Sequence, residues 1–126
     1  MAEDLKFPSG LILVRDSMIK GGAIWQPLGQ SLDVSAYGHL DVAMMVPVLN
    51  ATDLTLELWT GMQTQTDDGW ARLHAFAKVT AASTEPQKVG IGPWYGVLRY
   101  VRWKVTGLSG TTGSNAQFTL MGLRRP

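Results

Sequence analysis

Apolar residues in this chain come in short runs between glycines, and several runs alternate with polar residues at every second position. The clearest is DLTLELWTG (53–61), where Leu54, Leu56 and Leu58 point one way and Thr55, Glu57 and Trp59 the other. WARLHAFAKV (70–79) alternates again, with Trp70, Arg72, His74, Phe76 and Lys78 opposite Leu73 and Val79. Between them lies Asp68-Gly69, a strong turn dipeptide, so the two runs predict a hairpin. A short helix over WARLHAFA is the alternative, and its β-rich flanks favour the strand.

Further strands are predicted at LILVRDSMI (11–19), Ala23–Pro27, SLDVSAYG (31–38) and HLDVAMMVPVL (39–49). The continuous apolar centre of the last implies burial on both sides or a covered face. Lys88–Ile91, Tyr95–Thr106 and Ala116–Leu123 complete the set. No long helix is predicted, and no repeat or linker divides the chain. About eight strands spaced by turns imply an all-β fold, an antiparallel, jelly-roll-like β-sandwich. Residues 11–126 form its single domain. Residues 1–10 form an N-terminal arm kept extended by Pro8 and Gly10, expected to dock on a neighbouring subunit if the protein is an assembly component and otherwise to be disordered.

Length and composition fit this picture. A chain of 126 residues, 45% hydrophobic, can bury a core without a metal or a disulfide, and it has no cysteine to form either a disulfide or a thiolate site. MAEDLKFPSG carries acids where a signal peptide carries bases, and LILV is too short to span a bilayer. Synthesis in the cytoplasm and no membrane association are expected. Net charge is +1, which argues against general nucleic-acid binding. The charges are nevertheless segregated: all ten acids precede residue 86, whereas residues 86–126 hold six bases and no acid. Pairing of the first and last strands would bring the two sets together.

Catalytic chemistry has little to stand on. His39 and His74 are the two histidines, far apart and without metal-ligand spacing, and no phosphate loop or nucleophile elbow is present. GIGPWYG (90–96) has close glycines but no following helix, and Pro93 keeps one from starting cleanly there. Asp67 and Asp68 read as turn residues rather than calcium ligands. The expectation is no enzyme, no metal and no cofactor.

LRYVRWKV (98–105) interleaves bases with aromatics. As a strand it places Val97, Arg99, Val101, Trp103 and Val105 inward, and Leu98, Tyr100, Arg102 and Lys104 outward. Arg99 is the misfit of the inner set and calls for a buried partner such as Asp33 or Asp41. Five tryptophans are many for this length, and exposed aromatics mark contact surfaces more often than catalytic sites. Trp59, Trp94, Tyr100, Arg102 and Lys104 are therefore the candidate interaction surface. Arg102 and Lys104 are expected to be replaceable without loss of stability.

The order YGHLDVAMMVPVLNATDLTLELWTGMQTQTDDGWARLHAF, then LRYVRWKVTGLSG and FTLMGL, resembles small jelly-roll virion proteins of tailed phages and prophages. The shared features are an LDV strand, a leucine-alternating strand with a DG-W hairpin, and a late RYVR strand before a Gly/Thr loop. The resemblance implies a capsid-decorating or accessory virion subunit without catalytic residues. It also implies a homo-oligomer, with a trimer as one candidate state, bound to major capsid or other virion proteins and located in the virion. RYVR strands occur in carbohydrate-binding jelly rolls too. A glycan-binding module using exposed aromatics is accordingly the alternative.

Overall fold

The structure, a computed structural model, describes residues 3–6, 10–13, 24–34, 39–92, 96–109 and 115–125. Among these are ten strands: β1 (Glu3–Lys6), β2 (Gly10–Leu13), β3 (Ile24–Trp25), β4 (Leu32–Asp33), β5 (His39–Asn50), β6 (Asp53–Gly61), β7 (Ala71–Ala75), β8 (Ser83–Ile91), β9 (Tyr100–Ser109) and β10 (Asn115–Arg125). A single turn of 3-10 helix, Leu28–Gln30, separates β3 from β4.

All pairings are antiparallel. β1 and β2 pair with successive parts of β10, and β3 and β4 with successive parts of β9, so each couple acts as one interrupted edge strand. Counted that way, the molecule has eight strand positions in two sheets. The first sheet runs β1/β2–β10–β5–β8 and the second β3/β4–β9–β6–β7. Successive positions alternate between the sheets except at the β6–β7 hairpin, which is jelly-roll connectivity.

Alternation along the strands builds the core. β5 buries Leu40, Val42, Met44 and Val46, β6 buries Leu54, Leu56 and Leu58, and β9 buries Val101, Trp103 and Val105. Trp103 of the second sheet meets Phe118 of the first edge to face, ring centres 4.9 Å apart, across the sandwich. The apolar run of β5 is thus not buried on both sides: His39, Asp41, Ala43 and Met45 alternate with the core set and are half-exposed.

Four expectations change. Residues 3–6 of the expected arm lie along this chain's own β10, with Glu3 opposite Arg124, so the acidic start and the basic end are neighbours. β7 is shorter than expected and carries a bulge against Leu58 and Trp59. The bulge splits the predicted face: Arg72 stays opposite Trp59 on the outside, while Leu73 and Phe76 both turn into the core. β8 starts at Ser83, well before Lys88. Finally, Arg99 reaches Asp33 at 3.3 Å, the partner its position called for, but both side chains are about half exposed.

β8 is an edge strand guarded by Pro86 and Lys88, residues that discourage further strand addition. Gln87 turns from it towards the other sheet, donating to Ala77 O (3.0 Å) and accepting from Ala77 N (2.8 Å). One side chain thereby supplies the two hydrogen bonds of a missing strand neighbour. Beside it, a cleft of about 250 Å³ opens between Met44, Val46, Val79 and Thr80.

Candidate interaction face

The outer face of the second sheet is assembled by cross-strand register. Trp25 of β3 lies opposite Lys104 of β9, which lies opposite Glu57 of β6. One row further on, Arg102 lies opposite Trp59, and Trp59 opposite Arg72 of β7. Residues directly opposite one another are close enough for long and aromatic side chains to touch.

Trp70 joins from the β6–β7 connection. Gly69 has φ +75°, a left-handed conformation that glycine adopts without steric cost, and it turns the chain back. Gln63 organises the loop: its amide donates to Thr66 O (3.1 Å) and Asp68 O (2.8 Å), and its carbonyl accepts from the amides of Gln65 and Thr66. The Trp70 indole donates to Thr66 O (3.1 Å) and lies flat over Gly61, where a Cβ would come within 2.6 Å of the ring.

The result is a ladder of rings and cations. The Arg102 guanidinium lies 3.9 Å from the Trp25 ring centre and 4.5 Å from that of Trp70. It donates to Asp67 Oδ1 (2.7 Å) and to Gln26 O (3.2 Å). The Lys104 ammonium lies 4.4 Å from Trp25 and 4.5 Å from Trp59. Those two rings are 5.0 Å apart and inclined at 71°. Glu57 accepts from the Trp59 indole (2.9 Å) and from Arg72 (3.4 Å). Cation–π attraction and edge-to-face ring packing therefore run without a break from Trp59 to Trp70.

Of the five residues expected to form a contact surface, three meet here. Trp59 and Lys104 are half-buried. Arg102 does lie on the outer face, but it is 1% exposed, so the expectation that it faces solvent or a partner is corrected. Its planar, weakly hydrated guanidinium stacks between indoles more readily than an ammonium would. Tyr100 sits at the end of the ladder, opposite Asp33 and Gly61, under the Arg99 guanidinium at 5.2 Å. Trp94 lies outside the described residues.

Sequence reasoning missed Trp25, Trp70, Asp67 and Gln26 as members. Only Asp67, two residues before Gly69 in a loop flanked by tryptophans, had a local signal. Gln26 is fully buried and accepts from the Trp103 amide (3.1 Å) while donating to Gln30 O (2.8 Å), so it fixes the chain just beyond Trp25. A sugar stacked on the Lys104-bearing face of Trp59 would have to displace that ammonium.

The histidines do not converge. His39 pairs with Asp41 (2.7 Å) on the first sheet, and His74 packs edge to face on Phe76 in the second. Burial holds the His74 imidazole below the usual histidine range. Among the described residues no group of three or more metal-ligating side chains is assembled. No helix among them is long and apolar enough to cross a membrane.

No protein-family model matches the chain, and no curated protein is significantly similar in sequence. Solved structures share the fold. A chain in the structure of infectious bursal disease virus, Gx strain, matches 99% of this chain with 33% of its own length, at 11% identity and a TM-score of 0.52. A chain from the Gt strain matches likewise at 10% identity, with 99% and 33% coverage and a TM-score of 0.50. A chain described under Bacillus endospore appendages, a family of disulfide-linked pili, gives 10% identity, 99% and 86% coverage, and a TM-score of 0.49. The chain thus spans about a third of the length of the viral chains it matches. At these identities the likeness to the two viral chains is one of fold.

Proposed function

We propose that the chain is a non-enzymatic structural subunit of a phage-like particle, a capsid-decorating or accessory virion protein acting through protein–protein contacts. The observation that carries this reading is the jelly-roll strand order, which takes in every described strand and matches chains of virus structures over 99% of this chain. The reading is by fold analogy. It agrees with the sequence resemblance to phage virion proteins, which is itself a pattern of strands and turns. In this role the protein associates with itself, a trimer being the state to test first, and with the major capsid protein or another shell component. The outer face of the second sheet around the half-buried Tyr100, Trp59 and Lys104 is the face assigned to those contacts.

Sedimentation tests the reading. The purified chain is mixed with empty shells assembled from the major capsid protein encoded beside its gene, and pelleted. Saturable, stoichiometric co-sedimentation is expected. A chain that remains monomeric in the supernatant at micromolar concentrations, with shells intact, would refute the reading.

A further inference from the structure

The two cations of the ladder are held differently. Arg102 is buried and hydrogen-bonded to Asp67 and Gln26. Lys104 is half-exposed, and among the described residues no carboxylate lies within 4.0 Å of its ammonium. The nearest cross-strand acid, Glu57, is already bonded through one oxygen to Trp59 and through the other to Arg72. The Lys104 ammonium is therefore held by the Trp25 and Trp59 rings, at 4.4 and 4.5 Å. Two inclined indoles at those distances, with a nearly buried carboxylate beside them, form an ammonium cage.

We propose that Trp25 and Trp59 form a binding site for a quaternary ammonium group, which Lys104 fills in cis until such a ligand displaces it. The preference follows from hydrogen bonding. A primary ammonium has three N–H donors, which two ring faces satisfy poorly, and it regains water when it swings out. A quaternary ammonium has no N–H to leave unpaired, is more weakly hydrated, and keeps the full attraction of both rings. Lys104 can withdraw because its stem is flexible and the residue is only partly buried. Arg102, stacked on Trp25 at 3.9 Å and bonded to Asp67 and Gln26, keeps Trp25 in place when it does.

The test is a titration with choline, followed through the indole N–H signals by NMR. Saturable shifts are expected for Trp25 and Trp59 but not Trp103, and the Lys104 ε-methylene signal should lose its ring-current displacement as choline binds. Lys104→Ser should bind choline about tenfold more tightly, because no cis ammonium competes for the rings. The neutral tert-butyl analogue of choline should bind far more weakly. Phosphatidylcholine vesicles then distinguish the sources: retention on vesicles that free choline abolishes assigns a lipid headgroup, and binding of free choline alone assigns a soluble ligand. The proposal is overturned if a folded Lys104→Ser protein ignores choline, or if the neutral analogue binds equally well. Should that variant not fold, the wild-type titration decides, since choline binding without movement of the Lys104 signal overturns the proposal as well.

Discussion

The two faces of the second sheet are packed by different physics. Its inner face is mainly aliphatic, with Leu54, Leu56, Leu58, Val101 and Val105 almost wholly removed from water, and apart from the Trp103–Phe118 ring contact it is held by burial without direction. Its outer face is nearly as well covered at Arg102 and Trp70, but there guanidinium, ammonium and indole groups hold one another in a fixed order. A sheet face can thus be outward in register and still be dry. Alternation identifies the side of a residue, not its exposure.

The sharpest way to break this comparison is to treat Arg102 as a core residue. Arg102→Ala removes the filling between Trp25 and Trp70 and the anchor of Asp67. It should cost about 3 kcal/mol, within the range for emptying a buried site, and as much as Leu58→Ala. Urea denaturation of both variants measures this. A cost below 1 kcal/mol would show that the outer layer contributes little and restore the view of Arg102 as a surface residue. Gly61→Ala should come next, at about 1–3 kcal/mol, because the new methyl group must push Trp70 off the sheet. A red shift of tryptophan emission should accompany that loss, because the displaced indole meets water.

Lys104→Ala sharpens the contrast from the other side. Lys104 is partly exposed and its ammonium has ring contacts but, among the described residues, no hydrogen bond to brace it, so the cost should be about 1 kcal/mol or less. Equal costs for Arg102→Ala and Lys104→Ala would mean that the ladder acts as one unit. The smallest effect expected is the pH response of His74. Its imidazole is held below the ordinary value of about 6.5, so the unfolded chain takes up the proton first. Its contribution to stability is full above that value, declines as pH falls below it, and reaches its floor once pH passes the folded-state value. His74→Gln should flatten the fall in melting temperature between about pH 7 and 5.

Much of the fold was legible, and the reasons are local. The leucines of β6 and the Val101, Trp103, Val105 set of β9 declare their face by period, and Asp68-Gly69 declares its turn. β8 was half missed because an exposed edge strand needs no alternation, and Pro86 argues against a strand in isolation. The bulge in β7 has no local signature, so Leu73 and Phe76 could not be assigned to one side. The burial of Arg102 was illegible for a different reason. It depends on Trp25, brought alongside by the β3–β9 pairing, and on a loop whose path is set by Gln63. Neither neighbour is near Arg102 in sequence.

The central positions of both sheets have a consequence for how the protein is made. β10 lies between β1/β2 and β5, and β9 lies between β3/β4 and β6. As the chain leaves the ribosome, the strands that will flank these two emerge first, and each sheet lacks its middle until the final quarter is synthesised. Closure must then bridge long sequence separations, which makes folding slow and late. Until β9 and β10 arrive, the apolar faces of β5 and β6 lack the middle strands of their sheets, and nascent chains are most open to chaperones and to one another.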